Sequence, residues 1–198
     1  MNAAKPLSLA PILPALALLG GCTHHAAAPD VLALPQATGD ALQDAAALLS
    51  LAELAENSEQ RAPIIDRLNA MNVVLADGAG DNPPDNPLAQ WREDHQASGN
   101  APYRGRTLGP AYRRVHVQGG DSLQIDQIFY AGERAEIAAQ ANGGDIAIEI
   151  NNPRDESVCA KPLAPNANCS WLPIFTERFS IQVENHGSQP ASVYITFR

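Results

Sequence analysis

The chain changes its apolar rhythm twice. It opens with an apolar run from Leu7 to Leu19, preceded by Lys5 and ending in Leu19-Gly20-Gly21-Cys22. That run is too short to cross a bilayer, which takes about 20 apolar residues. After Asp40 the apolar positions recur at helical spacing: Leu42, Leu49 and Ala52, with Leu48, Leu51, Leu54 and Ala55 beside them. This stripe predicts an amphipathic helix, with Asp40 as N-cap and Gln43 completing a capping-box-like pair. The helix fades at Asn57-Ser58. A second is expected with Pro63 in its first turn, carrying Ile64, Leu68, Met71 and Leu75 three and four apart. The two should form an antiparallel hairpin, each stripe buried on the other. Residues 77–87 read as a turn-forming segment, and Asn86-Pro87 with Leu88 and Trp91 predicts a short third helix.

From Tyr112 the period falls to two. Strands are expected at 114–118, 122–130, 134–140, 145–151, 169–172, 177–184 and 191–197. Alternation points Ile146, Ile148 and Ile150 inward, with Phe179, Ile181 and Val183, and Val193, Ile195 and Phe197. Gly119-Gly120, Gly143-Gly144, Asn152-Pro153 and residues 185–190 supply turns. The expected fold class is α+β by domains: an N-terminal helical hairpin, then a C-terminal antiparallel β-sandwich, jelly-roll-like. The boundaries are a leader at 1–21, a tether at 22–39, a helical region at 40–97, a linker at 98–111 and the sandwich at 112–198.

A charged start, a short apolar run and small residues at its end describe a secretory signal peptide. A cysteine directly after Gly20-Gly21 resembles the bacterial lipoprotein box. The resemblance implies removal of residues 1–21, acylation of Cys22 and a body anchored to a membrane. Thr23, where an aspartate would favour the inner membrane, implies the periplasmic side of the outer membrane. The tether's His24-His25 pair has no third ligand nearby and reads as plain linker. With Cys22 acylated, Cys159 and Cys169 remain, and in an oxidising compartment they are expected to form a disulfide.

The formal net charge is −9. It is uneven: acids from Asp30 to Asp94 far outnumber Arg61, Arg67 and Arg92, whereas the region after Ser98 nearly balances. That balance argues against a nucleic-acid partner, which wants a basic face. One basic cluster stands out, Arg104, Arg106, Arg113 and Arg114. It reads either as a solvated linker offsetting the acidic region, or as a docking patch for that region or for anionic glycan or lipid headgroups. Trp171, two residues beyond Cys169, should share its sheet face and pack near the bridge; the competing reading is an aromatic ligand platform.

The second region resembles the bacterial pre-peptidase C-terminal domain family. The likeness is carried by residues 129–137 (FYAGERAEI), 144–150 (GDIAIEI), Val158-Cys159, 169–173 (CSWLP) and 179–187 (FSIQVENHG). It implies a secreted β-sandwich module associated with substrate or surface binding rather than catalysis. The family often carries Asp-x-Asp where this chain has Asp145 and Ala147, a departure that counts against a calcium role.

An enzyme reading has little to hold. The chain has no Gly-x-Ser-x-Gly, no His-Glu-x-x-His and no phosphate-cradling glycine loop. No catalytic residue, metal site or cofactor is expected. The leading expectation is a non-catalytic, membrane-anchored module that holds an envelope protein or glycan. The alternative is a periplasmic inhibitor or immunity protein, an acidic body occupying the cationic site of a hydrolase or toxin.

Overall fold

A computed structural model describes residues 32–76, 86–95, 109–162 and 167–198. Helix α1 (Ala41–Leu54) starts where the Asp40 carboxylate accepts the N–H groups of Leu42 and Gln43. Helix α2 (Ser58–Ala70) starts earlier than expected. Asn57 caps it through the Gln60 N–H, so Pro63 lies inside the helix rather than in its first turn. A well-placed cap fixes the start, and the proline costs one backbone hydrogen bond. The carbonyls left at the end of α1 are taken by the Arg61 guanidinium, 2.9 Å from Ala52 O and 2.7 Å from Ala55 O. Helix α3 (Pro87–Asp94) is capped by Asn86, with the proline in its first turn.

Among the described residues nine strands follow or intersperse: β1 (Val74–Leu75), β2 (Ala111–Val117), β3 (Ser122–Phe129), β4 (Ala135–Asn142), β5 (Ile146–Asn151), β6 (Ser157–Pro162), β7 (Ala167–Trp171), β8 (Glu177–Asn185) and β9 (Ala191–Phe197). They form a five-stranded sheet, β1-β2-β9-β4-β7, and a four-stranded sheet, β3-β8-β5-β6. Apart from the parallel β1–β2 pair the ladders are antiparallel. From β2 onward the chain switches sheets at each step except the β5–β6 hairpin, which is jelly-roll connectivity. The fold class is therefore α+β with a C-terminal β-sandwich.

Two strands were not anticipated. β1 is only two residues long, and β6 is an edge strand whose Val158 stays exposed, so neither shows the alternation that announces a half-buried strand.

The nine alternating residues expected inside all lie in one core between the sheets, joined by Val115, Val117, Phe129 and Ile137. A second core lies on the other face of the five-stranded sheet. There Leu48, Leu49, Ile64, Ile65, Leu68, Leu88 and Trp91 from the helices meet Tyr112 of β2 and Tyr194 of β9. The α1 stripe is thus buried against β4 and β9 as well as against α2. Residues 31–198 make one compact unit. The change of period near Tyr112 marks a change of element type within it, not a seam between separate bodies. Strand β9 carries the junction: Val193, Ile195 and Phe197 face the sandwich core, while Tyr194 and Thr196 face the helices.

Candidate functional site

Helix α1 runs alongside β4 in the same direction. The Thr196 hydroxyl contacts the carbonyls of Leu42 (2.9 Å) and Ala138 (3.2 Å), and Asn142 Nδ2 donates to Ser50 O at 2.8 Å. Past Ser50 the helix delivers Glu53 to a polar cluster on the sheet. Glu53 accepts from Arg114 Nη1 (3.1 Å), Ser192 Oγ (3.0 Å) and Asn142 Nδ2 (2.9 Å), while Ser50 Oγ donates to Asn142 Oδ1. Ser192 Oγ also lies 2.9 Å from His116 Nδ1.

Serine, histidine and carboxylate are the parts of an activated nucleophile, but their order differs here. Activation needs the histidine between the other two, so that it takes the serine proton and is itself held by the acid. In this cluster the serine stands between, and its single proton goes to Glu53. The direction of the His116 contact follows the tautomer of its ring. The cluster fastens α1 to β2, β4 and β9. Beside it, burial and then the Glu53 carboxylate push the Tyr194 phenol well above its usual range, with Arg114 opposing.

These contacts revise the basic patch. Arg114 is tied to Glu53 of the acidic helical region, with about a fifth of each side chain exposed. Arg113 follows the alternation of Ala111, Val115 and Val117 and turns inward, donating to Asp126 O at 3.0 Å. It is buried. Neither presents a solvent-facing docking surface, because one pairs internally and the other shares the parity of the core. Arg104 and Arg106 lie outside the described residues, as does Cys22.

The Cys159–Cys169 disulfide is present. It does not simply close a loop: β6 is the edge of one sheet and β7 the edge of the other, so the bridge clasps the two sheets along one side. Trp171 shares the inward parity of Cys169, as alternation predicts, and packs on Phe129 (4.9 Å between ring centroids) and Phe179 (5.3 Å). It is half-buried core rather than an open platform.

The open surface lies immediately beyond it. Residues 130–134 join β3 to β4 and residues 172–176 join β7 to β8, and the two segments are tied together. Gly132 N–H donates to Pro173 O and Ala131 N–H to Thr176 Oγ1, both at 3.0 Å. On this tip Tyr130 is 60% exposed, Leu172 64%, Ile174 80% and Phe175 63%. Two aromatic side chains of about 200 Å² each leave about 250 Å² in water, and the leucine and isoleucine bring the patch to about 500 Å². The largest apolar patch on a typical monomer is of about that size and is often functional. Part of the signal was present in the sequence: Ile174 and Phe175 follow Pro173 outside any alternating run, whereas Leu172 falls at the end of the expected strand 169–172.

The opposite end of the sandwich is built differently. Asn185, almost fully buried, ties its turns together: Nδ2 donates to Val117 O and Gln189 O, and Oδ1 accepts from the Asp145 and Gly187 N–H groups. Gly144 sits there at φ +71° with no room for a Cβ against Ala191 and Asn185. Asp121, Asp145 and Glu184 stand at this end, and its turns 118–121, 143–145 and 185–190 hold no lysine or arginine. The exposed arginines Arg134, Arg154, Arg178 and Arg198 lie toward the tip, where Arg154 pairs with Glu156, Arg178 with Asp126 and Arg198 with Glu136. Among the described residues, no group of three or more His, Cys, Asp or Glu is placed to hold a metal ion, and no helix is long and apolar enough to cross a membrane.

No family model matches the chain, and no curated protein matches it. Among solved structures it is similar to a periplasmic inhibitor of g-type lysozyme from Aeromonas hydrophila (15% identity, 48% of this chain and 91% of that one, TM-score 0.36). It is also similar to the pre-peptidase C-terminal domain of collagenase from Bacillus anthracis (10% identity, 45% and 89%, TM-score 0.37). A third is the mitogen from Yersinia pseudotuberculosis (9% identity, 45% and 84%, TM-score 0.35). At these identities and scores the overlaps carry no statement about function.

Proposed function

We propose that the chain is a non-catalytic binding or scaffold module of the bacterial envelope, anchored through an acylated Cys22 at the periplasmic side of the outer membrane, where it holds an envelope protein or glycan. The observation that supports this most is the tip: two hydrogen-bonded loops keep Tyr130, Leu172, Ile174 and Phe175 in water. Nothing in the packing of the sandwich requires those side chains there, so a contact surface is the economical reading. The acidic opposite end favours a second reading, an inhibitor or immunity protein that offers Asp121, Asp145 and Glu184 to a cationic hydrolase or toxin.

Photo-crosslinking in cells tests both. A reactive residue at Ile174 and another at Glu184 should each be tried in the full chain. A saturable adduct with an envelope protein or glycan supports the first reading. A stoichiometric adduct of the Glu184 probe with a hydrolase or toxin replaces it with the second. Absence of any saturable adduct from either position, whether to protein, glycan or lipid, overturns the binding role.

A further inference from the structure

We infer that the apolar tip seats on the surface of a lipid bilayer, so that the sandwich stands on the membrane with its acidic end directed away. This rests on the anchored-module reading above and says what the tip itself meets.

The argument begins with where the chain enters the fold. Asp40 and Leu42, at the start of α1, share a surface cavity with Glu136, Ile137, Cys169 and Ser170. Those residues open β4 and close β7, and the next residues along each strand lead into the tip: Ala135 back to Arg134, and Trp171 on to Leu172. Upstream, Thr38 is held to Asp44 and the Pro35 carbonyl to Arg67 near the end of α2. That end leads directly to β1, whose partner Ala111 lies opposite Phe197, again at the tip end of the sheet. The described chain therefore begins at the same end of the molecule as the apolar loops. From Cys22 to Leu32 there are only ten further residues, a reach of about 35 Å even when fully extended. An anchor on so short a lead brings the tip end, not the acidic end, to the bilayer.

The chemistry of the tip agrees with that orientation. Isoleucine, leucine, phenylalanine and tyrosine are the side chains that gain by entering the acyl boundary, and tyrosine favours the headgroup level. The arginines around this end are matched by its own acids, Arg154 pairing with Glu156, Arg178 with Asp126 and Arg198 with Glu136, while Glu133 stands beside Arg134. The seat therefore rests on the apolar side chains and not on charge. A protein pocket would also cover an apolar tip, but it would give no reason for the coincidence of the tip with the chain's entry.

The test uses the chain from residue 22 onward with Cys22→Ser, so that no acyl group contributes, mixed with phosphatidylcholine vesicles and with phosphatidylcholine–phosphatidylglycerol vesicles. Binding is read by co-sedimentation and by quenching of tryptophan fluorescence with brominated lipid. The expected result is binding to both vesicle types that falls about tenfold or more in Leu172→Glu/Phe175→Glu, while Asp145→Asn binds as the parent does. These tip positions are exposed, and unchanged circular dichroism and melting of the double variant separate lost binding from lost folding. Absence of binding to either vesicle, or equal binding by the double variant, overturns the inference. So does a dimer in solution that the tip substitutions dissolve, since the tip would then be covered by a second copy. Acylation of Cys22 is read separately, by fatty-acid labelling of the full chain, so the anchor and the seat can fail independently.

Discussion

Alkaline pH should loosen the helical layer from the sheet, and Tyr194 is the reason. The side chain is fully buried between α1 and β9, beside Glu53 and Arg114. Burial, reinforced by the Glu53 carboxylate, raises its phenol above the ordinary value, so ionisation in the folded state is strongly disfavoured. In the unfolded chain the same phenol ionises near pH 10. Below that point it is protonated in both states and its contribution to stability is fully present. Above it the unfolded state sheds the proton first, and stability falls by about 1.4 kcal/mol per pH unit for each such group. Between about pH 10 and 11.5 the loss is about 2 kcal/mol, worth about 4–8 °C of melting temperature for a body of this size. Other groups also titrate in that range, so the decisive quantity is the difference between the parent and Tyr194→Phe. Melting followed by circular dichroism at about pH 9 and 11.5 should show the substituted chain losing less. If both lose the same amount, or if ultraviolet difference spectra show Tyr194 ionising near pH 10 in the folded chain, the account of this interface is wrong.

Three further outcomes follow from the geometry. Replacing Cys159 and Cys169 together by alanine should cost about 2.5–3 kcal/mol, the chain-entropy value for so short a closed loop, with urea denaturation as the measure. Glu53→Ala removes the partner of Arg114, Ser192 and Asn142 at once. It should cost about 2–3 kcal/mol, discounted from a fully buried pair because both side chains keep some solvent; a double-mutant cycle with Arg114→Met checks whether the loss is shared. Cys22→Ala should abolish uptake of a fatty-acid label and release the chain from the membrane fraction; a variant that stays labelled and membrane-bound refutes the anchor.

Much of the architecture was legible wherever a residue's neighbours along the chain decide its fate. The Asp40 cap, the α1 stripe apart from the exposed Leu54, and the triplets Ile146-Ile148-Ile150, Phe179-Ile181-Val183 and Val193-Ile195-Phe197 obey local periods, and the structure buries them as those periods require. Tyr112, Tyr194 and Thr196 sit at the opposite parity. Their burial depends on helices distant in sequence, from Leu88 (24 residues from Tyr112) to Leu42 (154 from Thr196), covering the second face of the sheet. No local period reports that. Arg113 is a different case: its parity with Val115 and Val117 already pointed inward, but the company of Arg104, Arg106 and Arg114 invited a reading by charge. The tip was visible in part, as Ile174 and Phe175 in a turn beside a proline, and only the fold shows that Tyr130 and Leu172 join them there.

The position of β9 sets the order in which the molecule can be completed. It lies between β2 and β4 and pairs with both, so nothing joins those two strands until it arrives. It is also the last of the described strands in chain order. Ala111 must wait for Phe197, at opposite extremes of the β-region, before the five-stranded sheet exists or the helices have a surface to lie on. Such distant pairing makes closure slow. It also makes closure all-or-nothing: a chain cut short before residue 191 keeps the β3-β8-β5-β6 sheet and the β1–β2 and β4–β7 pairs but has nothing to join those pairs, and both cores stay open to water.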